Sequence, residues 1–232
     1  MKSLQSLMVA SVLGMGSLVG MASASASEWA VDASHSSADF TVRHMMVTDV
    51  RGAFRKIDGV VNLDDKDPTK STVVINLDVA SIDTRDPKRD EHLKSPDFFD
   101  AAANPKITFK STAIKKAGKD KFKVTGDLTM RGVTKSQTFD VAGPTAPIKN
   151  PWGMVVRGVS VSGKVNRKDF NVNWNKALDA GGVVVGDEVK IQVDLELVEK
   201  PAVAAPAAPG AAPDKPPVAK PAAAPAAAPA KK

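Results

Sequence analysis

The 232 residues contain no cysteine and carry a formal charge of +6. Without cysteine there are no disulfides, no thiol catalysis and no Cys-based metal sites, so stability has to come from a packed core. The charge does not mark a nucleic-acid-binding face: Lys200, Lys215, Lys220, Lys231 and Lys232 against Asp214 supply +4, Lys2 supplies +1, and residues 27–199 are left at +1.

The chain opens with Lys2, an apolar run over 7–21 and the small-residue stretch Ala22-Ser23-Ala24-Ser25-Ala26. A basic start, an apolar centre and an A-x-A end describe a secretory signal peptide, 1–26, cut after Ala26 in preference to Ala24. The apolar run of about 15 residues is shorter than the ~20 that span a bilayer, and no other stretch is long enough to cross one. No cysteine follows the run, which excludes a lipid-modified N-terminus.

From residue 27 onward the pattern is period-2 alternation, the mark of strands with one buried face. Ala38, Phe40, Val42 and His44 share a face. Val50, Gly52 and Phe54 share the next, then Ile57, Gly59, Val61 and Leu63. The acids Asp64, Asp65 and Asp67 form a turn before Pro68; they lack the glycine and the later bidentate Glu of a calcium loop. Val73, Ile75, Leu77 and Val79 follow.

Residues 90–109, Asp-Glu-His-Leu-Lys-Ser-Pro-Asp-Phe-Phe-Asp-Ala-Ala-Ala-Asn-Pro-Lys-Ile-Thr-Phe, break this rhythm. Asp86-Pro87 predicts the start of a short helix through Leu93, with proline in its first turn. A second helical turn is expected from Asp97 through Ala103, ending before Pro105. Phe98 and Phe99 then either plug a barrel end or wall a ligand cavity.

Alternation resumes with Ile107 and Phe109, then Phe122, Val124, Gly126 and Leu128, then 133–141, 155–165, and Val189, Ile191, Val193, Leu195 and Leu197. Turn signals fall at Gly118-Lys119-Asp120, Met130-Arg131-Gly132 and Asn150-Pro151-Trp152-Gly153. Lys115, Lys116, Lys119, Lys121 and Lys123 surround the first and mark a solvated hairpin. From Lys200 the chain is almost only Ala, Pro and Lys; the segment 200–232 is expected to be disordered and partly polyproline II. A solubilising spacer is the favoured reading of it, ahead of an arm that touches acidic surfaces.

About eight strands, apolar on one face and without amphipathic helices between them, exclude a parallel α/β sheet and leave a sandwich or a barrel. Glycines within the strands, at Gly52, Gly59, Gly126 and Gly163, favour the barrel, because such positions mark bending or close backbone approach. The histidines His35, His44 and His92 have no spacing that binds metal, and no nucleophile elbow, P-loop or dinucleotide fingerprint is present. His44 shares its strand face with Phe40 and Val42 and should point inward, either as a polar contact to a ligand or as a satisfied buried histidine.

Several motifs occur in order: Trp29-x-Val31-Asp32-x-x-His35-Ser36, Phe40-x-Val42-x-His44, Gly52-x-Phe54, Ser81-Ile82-Asp83-Thr84, Asp90-x-His92-Leu93-x-Ser95-x-x-Phe98-Phe99, Pro105-x-Ile107-Thr108-Phe109-x-Ser111, Gly126-x-Leu128-Thr129-x-x-Gly132-Val133-Thr134 and Arg167-x-Asp169-Phe170. As a set over 29–198 they resemble the YceI-like family of lipocalin-like polyisoprenoid-binding proteins. Asn171 stands where the family's pattern has glycine, and Asn104 where it has an aromatic residue. The resemblance implies an all-β fold: an extended lipocalin-like antiparallel β-barrel over 27–199 with a short helical insertion, located in the periplasm.

It further implies that an amphiphilic long-chain lipid (a polyisoprenoid, polyprenyl phosphate or isoprenoid quinone) is held inside the barrel. The expected lining is Phe40, Val42, Phe54, Phe98, Phe99, Phe109, Phe122 and Trp174, with His44 near the polar end. Trp174 is included only for its nearness to the Arg167–Phe170 motif. The expected protein is a binder that needs no cofactor or metal and has no nucleic-acid partner; a dimer is left open. The rival readings are a lipid-modifying enzyme of the same compartment and a stress-linked protein with a filled core.

Overall fold

The computed structural model describes residues 26–179 and 181–201. The expected signal peptide over 1–26 and the expected tail over 200–232 therefore fall almost entirely outside the described residues.

Twelve strands follow one another: β1 (Ser27–Val31), β2 (Ser37–His44), β3 (Thr48–Phe54), β4 (Ile57–Leu63), β5 (Thr72–Asp78), the two-residue β6 (Ile82–Asp83), β7 (Lys106–Gly118), β8 (Lys121–Met130), β9 (Val133–Ala142), the two-residue β10 (Ile148–Lys149), β11 (Val155–Asn166) and β12 (Val185–Glu199). All pairings are antiparallel, and they close: β12–β1–β4–β5–β7–β8–β9–β11 and back to β12. β1 and β2 are one interrupted strand, since Val31 lies opposite Leu197 and Ser37 opposite Asp194 on the same edge of β12. β3 and β4 continue one another in the same way, β3 on β2 and β4 on β1. The result is a closed antiparallel barrel of eight strand tracks, as the alternation predicts.

Local chemistry sets the turns. β8 and β9 are joined by Arg131 (φ 48°) and Gly132 (φ 72°), two left-handed residues of the kind a two-residue hairpin needs. In the acidic turn the Asp64 carboxylate accepts the Lys66 and Asp67 N–H groups, so it is spent on the backbone.

The insertion carries α1 (Pro87–Lys94), the one α-helix among the described residues. The Asp86 carboxylate caps it by accepting the Lys88 and Arg89 N–H groups, and Pro87 occupies the first turn. Buried Thr84 ties it to the barrel: its hydroxyl donates to Asp90 (2.5 Å) and accepts from Arg89 Nε (2.7 Å). The second helical turn expected from Asp97 is absent. Residues 95–103 form successive turns instead, because Pro96 breaks the helix and Asp100 takes a left-handed φ of 51°.

The strand glycines seat aromatic rings. A Cβ on Gly126 would lie 2.4 Å from the Lys110 carbonyl oxygen and 2.5 Å from the Phe109 ring; one on Gly163 would lie 2.6 Å from the Phe139 ring. Phe109 and Phe139, so seated on the two strands that flank β8, meet edge to face at 5.5 Å along the wall. At Gly126 one obstacle is backbone and cannot swing away. Gly126→Ala should therefore cost about 1–3 kcal/mol, as overpacking does. In a thermal melt this is a Tm lower by several degrees for a body of this size; an unchanged Tm would refute the seating account.

Candidate functional site

The barrel encloses a cavity of about 200 Å³. Phe122 and Met130 both line it and lie eight residues apart on β8. At a rise of ~3.3 Å per residue that is about 26 Å of strand, or about 20 Å along the axis for a typical tilt of about 40°. So small a volume over such a length is a narrow bore, with room for no more than a single chain. Among the described residues no titratable side chain lines it. The lining hydroxyl of Ser71 accepts the Asp64 N–H at 3.0 Å and is not free.

One end is sealed. The Phe54 ring, on the wall, packs against Phe40 at 5.7 Å and edge-on against Phe99 at 5.8 Å. Outside this layer Phe98, Trp174 and His92 form a second cluster, with ring centroids 5.0–5.2 Å apart. Arg167, 5% exposed, holds that cluster in place. Its guanidinium donates to the carbonyls of Gly186, Val172, Trp174 and Val185, and burial pushes its pKa down. His92 Nε2 is 3.0 Å from Asp97, bracing the turn that presents Phe98.

The other end is rimmed by Pro68, Ser71, Ile114, Gly143 and Pro144. A largely buried charge stands there on the inner face. Arg157 lies opposite Leu197, a lining residue, one inward-facing step beyond the lining residue Val159. Its guanidinium sits 5.0 Å over the Trp29 ring and pairs with Asp65 at 3.0 Å across the barrel end. Arg157 Nε is buried with no hydrogen-bond partner among the described residues.

Of the nine residues predicted to line the site, Phe54, Phe109 and Phe122 are on the cavity wall. Phe40 and Phe99 stand behind Phe54 at the closed end, and Phe98 and Trp174 form the outer seal. Val42 and His44 lie farther along β2, beyond Phe40, and are not among the lining residues; His44 is half-buried opposite Thr48 and Val185. Alternation assigns a face but not a depth, and β2 runs on past the sealed end. The aliphatic wall of Val159, Val161, Ile191 and Val193 carries no signal beyond that alternation. Arg157, on a strand otherwise free of inward charge, was missed altogether.

The comparisons with known proteins agree with this architecture. The model of the YceI-like domain matches residues 29–197. UPF0312 protein SAS2572 of Staphylococcus aureus is 39% identical over 166 residues, 71% of this chain and 94% of its own. Burkholderia cenocepacia BcnA superposes with a TM-score of 0.62 at 30% identity, covering 72% of this chain and 98% of that one. A polyisoprenoid binding domain from Saccharophagus degradans shares the fold, with a TM-score of 0.54 at 13% identity over 75% of this chain and 99% of its own. The antiparallel barrel is thus that of a known group, and this chain belongs to the YceI-like family.

Outside the bore, at the break between β1 and β2, Asp32, His35 and Glu196 bring their side-chain ligand atoms within 4.8 Å of one another. Their contacts are mutual. Asp32 accepts from the Ser34 hydroxyl and N–H and lies 2.9 Å from His35 Nδ1, which lowers its pKa to about 2. The same contact, aided by the charges of Asp32 and Glu196, raises the pKa of His35. A raised pKa means that the histidine's contribution is complete below the unfolded value and fades as pH rises through the folded one. In an NMR titration His35 should change charge above its ordinary 6.5, and Asp32→Asn should bring the midpoint back toward that value. A wild-type midpoint at or below the ordinary value would contradict the pairing.

Proposed function

We propose that the barrel binds and carries one long apolar lipid chain, of the isoprenoid type, in the periplasm. The observation that carries this reading is the bore: about 20 Å long by the strand estimate above, no wider than a single chain, and lined by apolar side chains. Burying such a chain gains ~25 cal/mol per Å² of apolar surface, before the costs of association. The Saccharophagus degradans domain of the same fold is a polyisoprenoid binding domain; its likeness bears on the fold, so the chemistry rests on the bore. The N-terminal pattern of Lys2, apolar run and A-x-A end supports export as part of this reading.

An enzyme acting on the lipid would need titratable groups against the chain, and among the described residues the wall offers none. The largely buried charged group at the open end is Arg157. A phosphate or other anionic head placed there would satisfy the unpartnered Nε and displace Asp65, whose carboxylate is largely exposed.

Native mass spectrometry of protein purified from its own source should show an added mass that extracts as a long-chain lipid. Val193→Trp, which fills the bore, should remove that mass and leave the Tm nearly unchanged. Apo wild-type protein, together with a loss of about 1–3 kcal/mol on Val193→Trp, would mean a filled core and would defeat the carrier reading. Arg157→Gln should lower retention of a phosphate-headed lipid more than that of a neutral isoprenoid quinone. Equal loss of both would remove Arg157 from head-group recognition.

A further inference from the structure

The open end of the bore is surrounded by an uneven surface. The β10–β11 hairpin exposes three large apolar side chains within seven residues: Ile148 (62%), Trp152 (77%) and Met154 (43%). Such a group on one hairpin exceeds the scattered apolar residues of an ordinary surface. The neighbouring β7–β8 hairpin is basic. Its Lys115, Lys116, Lys119, Lys121 and Lys123 are exposed against Asp120, and Lys149 extends the cluster into β10.

The register places these hairpins side by side at the mouth. β12 occupies one edge of β11 throughout, so β9 and β10 share the other: β9 reaches Ser160, and β10 takes over at Val155 and Val156. β9 in turn pairs with β8 as far as Lys121 opposite Ala142. The β7–β8 pairing continues to Gly118 and Lys121, whereas β5 leaves β7 at Lys110, so the basic hairpin stands clear of the β5 side. Between the two hairpins lie Gly143 and Pro144, both on the cavity rim. Lys116 is opposite Phe122, which lines the bore.

The charge is segregated. Six lysines against Asp120 and Asp140, the latter paired with Lys123 at 2.7 Å, leave this lobe clearly positive, while residues 27–199 as a whole are at +1, so the rest of the body is net negative. The opposite end gives an internal contrast. The β2–β3 tip also exposes Met45, Met46 and Val47, but there Arg43 pairs with Asp49 at 3.3 Å and no basic surplus surrounds the apolar side chains.

We propose that the β7–β8 and β10–β11 hairpins dock the open end of the barrel on a bilayer rich in anionic phospholipid. Trp152, with Met154 and Ile148, enters the interfacial region, where tryptophan is at home because it is apolar with a polar tip. The lysines meet the negative headgroups, as juxtamembrane basic clusters do. Docking in this pose turns the rim of the bore toward the acyl layer, so a chain would pass between bilayer and barrel without crossing water. This last step rests on the carrier reading; the docking itself does not.

The test is to titrate the full chain with vesicles of phosphatidylglycerol in phosphatidylcholine, and with phosphatidylcholine alone, while following tryptophan emission and cosedimentation. Trp29 is buried and Trp174 sits in the sealed end, so an emission shift on docking reports Trp152. The expected result is a shift to shorter wavelength with the anionic vesicles only. Trp152→Ala removes the shift, Lys116→Glu with Lys119→Glu weakens binding roughly tenfold or more, and Met46→Ala at the far tip changes nothing. Cosedimentation without the shift would mean that another basic stretch, such as the lysines beyond residue 201, holds the vesicle, and would overturn the proposal. So would absence of binding, or binding indifferent to the lysine changes. Bound lipid read by mass spectrometry on the same preparations separates the two readings: cargo without docking overturns this one alone.

Discussion

Everything in this structure depends on the pairing of β12 along both of its edges. One edge takes β11 from Val156 to Asn166; the other takes the interrupted β1–β2 track from Trp29 to His44. This double pairing turns an open meander into a ring, removes its free edges and directs one face of every track to a common interior. Had β12 paired on one side only, the same alternating side chains would face water or a second layer, and no bore would exist.

Closure alone does not decide whether the interior is filled. The rings of Phe109 and Phe139 lie against Gly126 and Gly163 and so fold close to the wall instead of crossing the axis. At one end the Phe40, Phe54 and Phe99 layer, backed by Phe98 and Trp174, does cross and shuts the barrel. Large side chains are thus concentrated where the chain must stop, and aliphatic ones such as Val159, Val161, Ile191 and Val193 line the passage. Arg157 marks the opposite limit, the point at which the interior meets charge.

Much of the fold was legible in the sequence because strand alternation has a fixed period and the barrel obeys it. Ile191 to Leu197 and Phe122 to Leu128 face inward as their pattern requires. The helix start at Asp86-Pro87 was legible too, since a cap and a proline act locally. The turns after Asp97 were not, because Pro96 and the left-handed Asp100 overrule the alanines that follow. The site was only partly legible. Phe54, Phe109 and Phe122 belong to the wall, but the depth of Val42 and His44 is set by how far the β2–β3 hairpin outruns the barrel, which no local pattern encodes. Arg157 escaped notice because its position depends on Trp29 and Asp65, distant in sequence and brought near only by closure.

The central claim, a bore that takes one chain lengthwise, is tested most directly by calorimetric titration of the delipidated protein with polyprenyl phosphates of increasing chain length. The account predicts one ligand per barrel, a negative heat-capacity change, and affinity that rises with each isoprene unit until the bore is full and then levels off. Affinity independent of chain length, or binding to the head group alone, would contradict it.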